Sequence, residues 1–497
     1  MVRVRYAPSP TGMQHIGGVR TALFNYLFSR SKEAGADGKF ILRLEDTDQT
    51  RTKPEYVQNT YDTFDWLKIH WDEGPDIGGP NAPYIQSERA SLYRRYAMDL
   101  LRNGWAYRCF CTAERLENVR KEREAAHSGE SGYDRFCRDI HPEEAAKLAE
   151  SGAKYVIRFK VPLEGKTKFH DALLGDVEWE NESISPDPIL LKSDGFPTYH
   201  LANIVDDHLM GITHVLRAQE WLSSTPMHVL LYKAFGWEPP VFCHLPMVMG
   251  QDGKKLSKRH GATSINEFRS GGYLPEALIN YIAMLGASYE EGKDIFTLAE
   301  LATDFSLDKL NKAPAVFDYQ KLQWYNGQYI RMKTDEELAE LSMPFAIEQN
   351  LFADPKGPSN EERALYIKAM PLVRERAVLL PELPAKLAYL FAEPAMPACE
   401  EFIPKKLDAA KTAELLAMGK AVLEDWQEKA LKGVDVSEEF MEEAVKEKAA
   451  AEGVKLGDLL MPLRVAISGS RVSPPLFGSI KLLGFKACIS RVEKVQF

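Results

Sequence analysis

The 497-residue sequence contains no run of about 18 apolar residues, the length a membrane-spanning helix needs, and its first residues enter a strand pattern directly. Neither a membrane span nor a signal peptide is therefore expected, which favours the cytoplasm. Cysteine is scarce, and six in a chain of this length do not make a disulfide scaffold. Cys243, Cys399 and Cys488 are isolated in apolar surroundings and read as small core residues. There is no basic excess either: 62 Lys and Arg face 72 Asp and Glu, a net charge of −10. That argues against indiscriminate adhesion to nucleic acid but leaves room for one locally basic face. Internal repeats and low-complexity tracts are absent, and strand patterns vanish beyond about Leu274. What remains is ordinary for a folded protein, 45% hydrophobic and 27% charged, and long enough for several domains.

The chain is organised around Val2 to Gly38. Val2, Val4 and Tyr6 alternate with arginines, as in a short strand with one face toward a core. Pro8-Ser-Pro-Thr-Gly12 then forces a loop, and Ala22, Leu23, Tyr26 and Leu27 follow helical spacing, with Gly35 as the expected stop. Phe40-Ile-Leu-Arg-Leu-Glu45-Asp46 reads as a second strand. This β-loop-α-β unit brings His15, Gly17 and Gly18 to a helix N-terminus, where unpaired N–H groups and the helix dipole suit an anion. Taken alone, His-x-Gly-Gly is more often a capped turn.

Helices are expected over Lys53 to Ile69 and Gln86 to Arg102, and a strand over Ala153 to Val161. Residues 84–195 read as an insertion between two halves of a nucleotide-binding sheet. His214-Val-Leu-Arg217 is the next parallel strand and Thr225 to Phe235 its crossover helix. A doubly wound sheet binds its ligand at the carboxyl ends of such strands, where Arg217 and Glu220 would sit. The expected fold is a multidomain α/β doubly wound, Rossmann-type core with an α+β insertion and an all-α C-terminal half. Its helices are expected at Glu361 to Arg376, Ala409 to Lys432 and Ser437 to Ala451, with a loose boundary from Pro384 to Pro404.

Ala7-Pro-Ser-Pro-Thr-Gly-Met-Gln-His-Ile-Gly resembles the ATP-binding signature of class I aminoacyl-tRNA synthetases, in the form seen in glutamyl- and glutaminyl-tRNA synthetases. Lys255-Leu-Ser-Lys-Arg259 resembles the second class I signature, and the two stand in the right order about 240 residues apart. Val316 to Tyr329, Lys455-Leu-Gly and Pro462-Leu-Arg464 resemble the bacterial glutamyl-tRNA synthetase pattern, whereas glutaminyl-tRNA synthetases end in β-barrels. The resemblance implies a core at 1–83 and 196–249, an acceptor-end insertion at 84–195 and a stem-contact domain at 250–330. Two anticodon modules would follow at 331–400 and 401–497. It also implies ATP-dependent ligation of glutamate to its tRNA through a glutamyl-adenylate.

By the same resemblance, ATP would meet Pro8, Gly12, His15, Gly17, Gly18, Lys255, Leu256, Ser257, Lys258 and Arg259, with His15, Lys255 and Lys258 catalytic. Such phosphoryl chemistry needs alignment and charge stabilisation more than covalent help. Mg²⁺ would be held mostly by phosphates and water. Arg5, Arg217 and Tyr199 would hold the side-chain carboxylate of glutamate, and Ala7, Ser9, Glu45 and Asn203 its α-amino and α-carboxyl end. An arginine fork suits a carboxylate, and a glutamine amide facing two arginines would lose charge-assisted bonds, so no editing domain is required.

Cys109, Cys111 and Cys137 supply three thiolates for a closed tetrahedral zinc site, as in some bacterial relatives. The fourth ligand is Tyr133, the preferred choice, or His141; three reduced cysteines in a packed insertion are the plain alternative. Arg471, Lys481, Lys486, Arg491 and Lys494 against Glu493 suggest a phosphate-facing C-terminal surface. Arg376, Arg464, Ser473, Pro474 and Leu476 match family positions near the anticodon, and an arginine at 376 matches relatives restricted to the glutamate tRNA. A monomer with tRNA, glutamate and ATP as partners is expected. The rivals are a charging enzyme that also accepts the glutamine tRNA, a nucleotidyltransferase or glutamyl-queuosine synthetase relative without anticodon modules, and a non-catalytic RNA-binding protein.

Overall fold

The computed structural model describes residues 1–125 and 132–497. Its chain packs as two units, one of Met1–Phe268 with Leu278–Tyr319, the other of Arg269–Ala277 with Gln320–Phe497.

The first unit begins with β1 (Arg3–Tyr6), α1 (Ile16–Ser29), β2 (Lys39–Leu42) and α2 (Pro54–Trp66). Strands β1 and β2 are parallel, Arg3 beside Lys39 and Tyr6 beside Leu42. Helix α1 stops at Ser29 rather than Gly35. The Arg30 amide closes its last turn and the Ser29 and Ser31 hydroxyls bond the Tyr26 and Phe28 carbonyls, competing with further helix. Gly35, at φ +69°, makes the turn toward β2 instead.

The inserted segment holds α3 (Ala90–Arg102), β3 (Ala106–Cys109), α4 (Ala113–Ala125), α5 (Pro142–Glu150), β4 (Val156–Phe159), β5 (Lys166–Asp171), β6 (Gly175–Glu180) and β7 (Ile189–Leu191). Strands β3, β4 and β7 form a small antiparallel sheet. The chain then returns through α6 (Tyr199–Leu209), β8 (His214–Ala218), the crossover α7 (Thr225–Phe235) and β9 (Val241–Leu245). Strands β8 and β9 are parallel throughout, and the Thr213 amide donates to the Arg3 carbonyl at 2.9 Å, setting β1 against them. The insertion is not a separate body: β5 pairs in parallel with β9 at Asp171 and Phe242, so the sheet runs β6-β5-β9-β8. Ile204, Val205, Val215, Leu231 and Phe242 are buried in the shared core.

Next come β10 (Val248–Met249), α8 (Ile265–Ser270), α9 (Pro275–Met284), α10 (Leu298–Asp304), β11 (Ala315–Val316) and α11 (Tyr319–Met332). Pairing of β10 with β11 corrects the expectation that strands end near Leu274; two-residue strands are too short to leave a periodic signal.

The second unit is built on α12 (Asp335–Glu348), α13 (Asn360–Arg374), α14 (Glu382–Phe391), α15 (Cys399–Phe402), α16 (Ala409–Leu431), α17 (Glu438–Ala451), α18 (Leu456–Ser468), α19 (Leu476–Leu483) and α20 (Phe485–Glu493). Ser359 and Thr334 start α13 and α12 with reciprocal caps to Glu362 and Glu337. Pro384 is buried in the first turn of α14, where a missing N–H leaves no broken bond, so the helix runs through it to Phe391. No helix among the described residues is long and apolar enough to cross a membrane.

Candidate active site

A cavity of about 1070 Å³ opens in the first unit where both signature segments meet. The first signature is tied to the chain just after the second: the Ile16 amide donates to the Thr263 carbonyl at 3.0 Å, and His15 bridges Ser264. Of the predicted ATP and glutamate residues, Arg5, Ala7, Ser9, Gly12, His15, Gly17, Gly18, Glu45, Tyr199, Asn203, Arg217, Lys255, Leu256, Ser257 and Lys258 line it. Pro8 and Arg259 are not in its wall. The Pro8 carbonyl instead accepts the Glu45 amide at 3.0 Å, and Arg259 turns to Asp252 at 3.4 Å.

His15 caps α1, its Nδ1 accepting the Gly18 amide at 3.3 Å, so a neutral ring carries its proton on Nε2. Desolvation, reinforced by Lys255, lowers its pKa and favours that neutral form. A Cβ on Gly18 would stand 2.8 Å from the Tyr6 hydroxyl, so this turn admits only glycine without a shift. Lys255 ion-pairs with Glu220 on the pocket rim. Lys258 is exposed on the short turn that Ser257 and His260 cap reciprocally.

Deeper in, the chain buries charge. Arg5, expected on an exposed strand if unused, is 4% exposed and holds Asp207 through Nε at 3.0 Å and Nη2 at 3.2 Å. Arg43, which no local pattern singles out, is fully buried. It donates to Glu45 at 3.0 Å, Asp207 at 2.8 Å and Asn203 at 3.0 Å. Burial, outweighing the pull of Arg43 and Arg5, pushes Glu45 up to about 7. Arg217 is different. Its partners are Thr225 Oγ1 at 2.7 Å, His244 Nε2 at 3.0 Å, His228 Nδ1 at 3.2 Å, Tyr199 Oη at 3.5 Å and the Trp221 carbonyl at 3.4 Å, all neutral. Tyr199 and Trp221 pack ring against ring at 4.2 Å beside it.

In the insertion, the Cys109, Cys111 and Cys137 sulfurs lie within 4.8 Å of one another. Sulfurs sharing a tetrahedral zinc at about 2.3 Å stand about 3.8 Å apart, so the three fit that ion. The Tyr133 hydroxyl lies 3.3 Å from Cys109 Sγ and 3.7 Å from Cys111 Sγ. Arg115 approaches Cys111 at 3.4 Å, and the Arg158 guanidinium covers the Tyr133 ring at 3.8 Å, so positive charge flanks the sulfurs. His141 is exposed at the start of α5 and outside this cluster, because its Pro142 helix directs it to solvent.

The second unit has a cavity of about 480 Å³ lined by Arg376, Ser473 and Pro474 with Leu372, Tyr389 and Val472. Arg464 Nη1 holds the Ser473 hydroxyl at 2.7 Å and the Pro474 carbonyl at 2.8 Å, while Arg376 reaches the Ser473 carbonyl at 3.3 Å. Leu476 is apart from them, buried in the helical core. The expected basic C-terminal face is reduced to the exposed Lys481 and Lys486. Arg491 is buried on the Ile467 and Tyr389 carbonyls, Lys494 pairs with Glu393 at 2.6 Å, and Arg471 pairs with Glu401 at 3.1 Å.

With this geometry, residues 1–324 match the catalytic-domain model of class I tRNA synthetases (E and Q), and residues 337–496 an anticodon binding domain. A glutamate–tRNA ligase of Treponema denticola is 58% identical, over 99% of this chain and 98% of its own. One of Borrelia duttonii is 49% identical, over 100% of this chain and 95% of its own. The crystal structure of a glutamate tRNA ligase from Elizabethkingia meningosepticum, in complex with its amino acid, superposes with a TM-score of 0.85 at 36% identity, covering 99% of this chain and 98% of that one. Two signatures joined at one cavity, a helical second unit and likeness along the full chain give one conclusion: the chain belongs to the glutamate–tRNA ligase family of class I tRNA synthetases.

Proposed function

We propose that this chain joins the α-carboxylate of L-glutamate to the α-phosphate of ATP, expels pyrophosphate, and transfers the glutamyl group to the 3′ end of the glutamate tRNA. The observation that carries it is Arg217, a buried cation whose hydrogen-bond partners among the described residues are all neutral, at the end of β8. A buried charge calls for a counter-charge, and the side-chain carboxylate of glutamate supplies one where glutamine cannot. Glu45, held by Arg43 in the same pocket, suits the substrate ammonium. Above them the His15 Nε2–H, the backbone at Gly17 and Gly18, and the Lys255 and Lys258 ammonium groups supply donors and charge for the phosphates. Lys255 reaches them by leaving Glu220.

ATP and Mg²⁺ go with the family, and the ion would neutralise phosphate charge, held mostly by phosphate and water. Cys109, Cys111, Cys137 and Tyr133 would hold a structural zinc that ties β3 to the loop before α5. Residues 84–195 receive the acceptor end, 250–330 contact the stem, and 331–400 with 401–497 read the anticodon at the Arg376 cavity, with the glutamine tRNA refused. The protein would work in the cytoplasm as a monomer, with both substrate subsites built from residues 5–264 of one chain. The test is ATP–pyrophosphate exchange with the purified protein, with and without the glutamate tRNA. Exchange that depends on glutamate is expected; no exchange in either case, or equal exchange with glutamine, would overturn the reading.

A further inference from the structure

Arg217 reaches into the amino-acid pocket, yet residues that line no part of that pocket fix it from behind: Thr225 and His228 directly, and His244 with Asp171 behind it. Its Nε–H points at Nε2 of His244, 3.0 Å away. A guanidinium N–H only donates, so Nε2 must present its lone pair and the ring proton sits on Nδ1. That nitrogen lies 2.6 Å from Asp171 Oδ2. Asp171 is fixed in turn: Oδ1 accepts the Leu173 and Leu174 amides at 3.0 and 2.9 Å, and Oδ2 accepts the His244 amide at 3.1 Å. Both Asp171 and His244 are 0% exposed. They stand on neighbouring strands β5 and β9, and β9 is next to the β8 that carries Arg217.

We propose that Asp171 and His244 are positioning residues for amino-acid selection: Asp171 fixes the tautomer of His244, and His244 fixes the Arg217 fork that receives a side-chain carboxylate. This rests on the reading of the cavity as a glutamate site. The chemistry explains why the acid is one residue removed. A carboxylate directly on Arg217 would neutralise the charge that separates glutamate from glutamine, and a second donor there would repel it. A neutral imidazole accepts the hydrogen bond without cancelling the charge. Burial, partly opposed by the Asp171 hydrogen bond, lowers the His244 pKa and keeps the ring neutral. His228, on the other side of Arg217, is held neutral too, by burial and then by Arg217 itself. The inserted segment thus contributes to amino-acid choice through Asp171.

The test is ATP–pyrophosphate exchange by the full chain with the glutamate tRNA present, comparing the parent, His244→Leu, His244→Gln and Asp171→Asn. His244→Leu should raise KM for glutamate about tenfold or more, the scale of a lost hydrogen bond to a charged group. The KM for ATP and kcat should change by less than about threefold, and preference over glutamine should fall. His244→Gln, whose Oε1 can accept from Arg217, should restore most of both, and Asp171→Asn should resemble the leucine variant. In the unmodified protein, ¹⁵N NMR of labelled histidine should find His244 protonated on Nδ1, a measurement that decides the matter where a variant fails to fold. An unchanged glutamate KM and preference in His244→Leu, a glutamine variant no better than the leucine one, or a proton on Nε2 would each overturn the proposal while glutamate activation by the parent stands. A parent that does not activate glutamate overturns the pocket reading and this proposal together.

Discussion

Arg43 shows what a single residue can hide. In Phe40-Ile-Leu-Arg-Leu it reads as a strand's polar face, yet it is fully buried, because Asp207 and Asn203 come from α6, far along the chain, to meet it. No local pattern signals a partner that distant, whereas His15 and Lys258 were legible because each belongs to a short signature. Glu45 beside Arg43 leads to a measurable consequence. Its folded-state pKa is raised, so the proton it keeps favours the unliganded fold at low pH, and that contribution is lost as pH rises through about 7. A substrate ammonium stabilises the carboxylate, so glutamate binding near pH 7 should release about half a proton. Calorimetry in two buffers of different ionisation enthalpy checks this; Glu45→Gln should abolish the release, and an unchanged release would refute the assignment. Lys258→Ala should lower glutamate-dependent exchange by about a hundredfold or more, as loss of charge stabilisation at a transition state does, with an unchanged melting temperature. Exchange at the parent rate would remove Lys258 from the chemistry.

At the scale of elements, the periodic ones were legible and the tertiary ones were not. Crossover helix α7 and strand β8 match the expected Thr225–Phe235 and His214–Arg217 because apolar spacing and glycine punctuation agree there. The end of α1 was misjudged because serine hydroxyls stop it before the first glycine. Strand β5 was placed in an insertion apart from the sheet, and only its pairing with β9 reveals Asp171 behind Arg217. The thiol cluster lies between: Cys109-x-Cys111 is visible in sequence, while the approach of Cys137 and Tyr133 depends on how the loop closes. About one zinc per chain is expected by elemental analysis, with thiols that titrate only after chelation. Freely titrating thiols and no metal would leave three reduced cysteines in a packed loop.

Charge on the whole molecule is a poor guide to its nucleic-acid face. The net −10 hides local order, and the C-terminal basic excess shrinks on folding to Lys481 and Lys486 as Arg491 is buried and Arg471 and Lys494 find acids. The cavity between α13, α14 and the 468–474 segment is the stronger feature, since it gathers residues about 100 apart in sequence around one arginine. Under the proposed function the glutamate and glutamine tRNAs differ at the third anticodon base, C against G. Arginine only donates, so it can pair with the acceptors on the Watson–Crick edge of cytosine. Guanine presents N–H donors there, which Arg376 cannot accept, and its larger ring would crowd the site. Arg464 serves the cavity differently: its bonds to Ser473 and Pro474 hold the wall rather than face the opening. Arg376→Gln should therefore relax the preference between the two tRNAs by roughly 1–3 kcal/mol, the discrimination typical of a good base contact. Arg464→Gln, which loosens the wall, should weaken charging of both tRNAs alike. Comparing aminoacylation of each tRNA by the parent and the two variants checks this, and efficient charging of the glutamine tRNA by the unmodified protein would show that Arg376 does not refuse guanine.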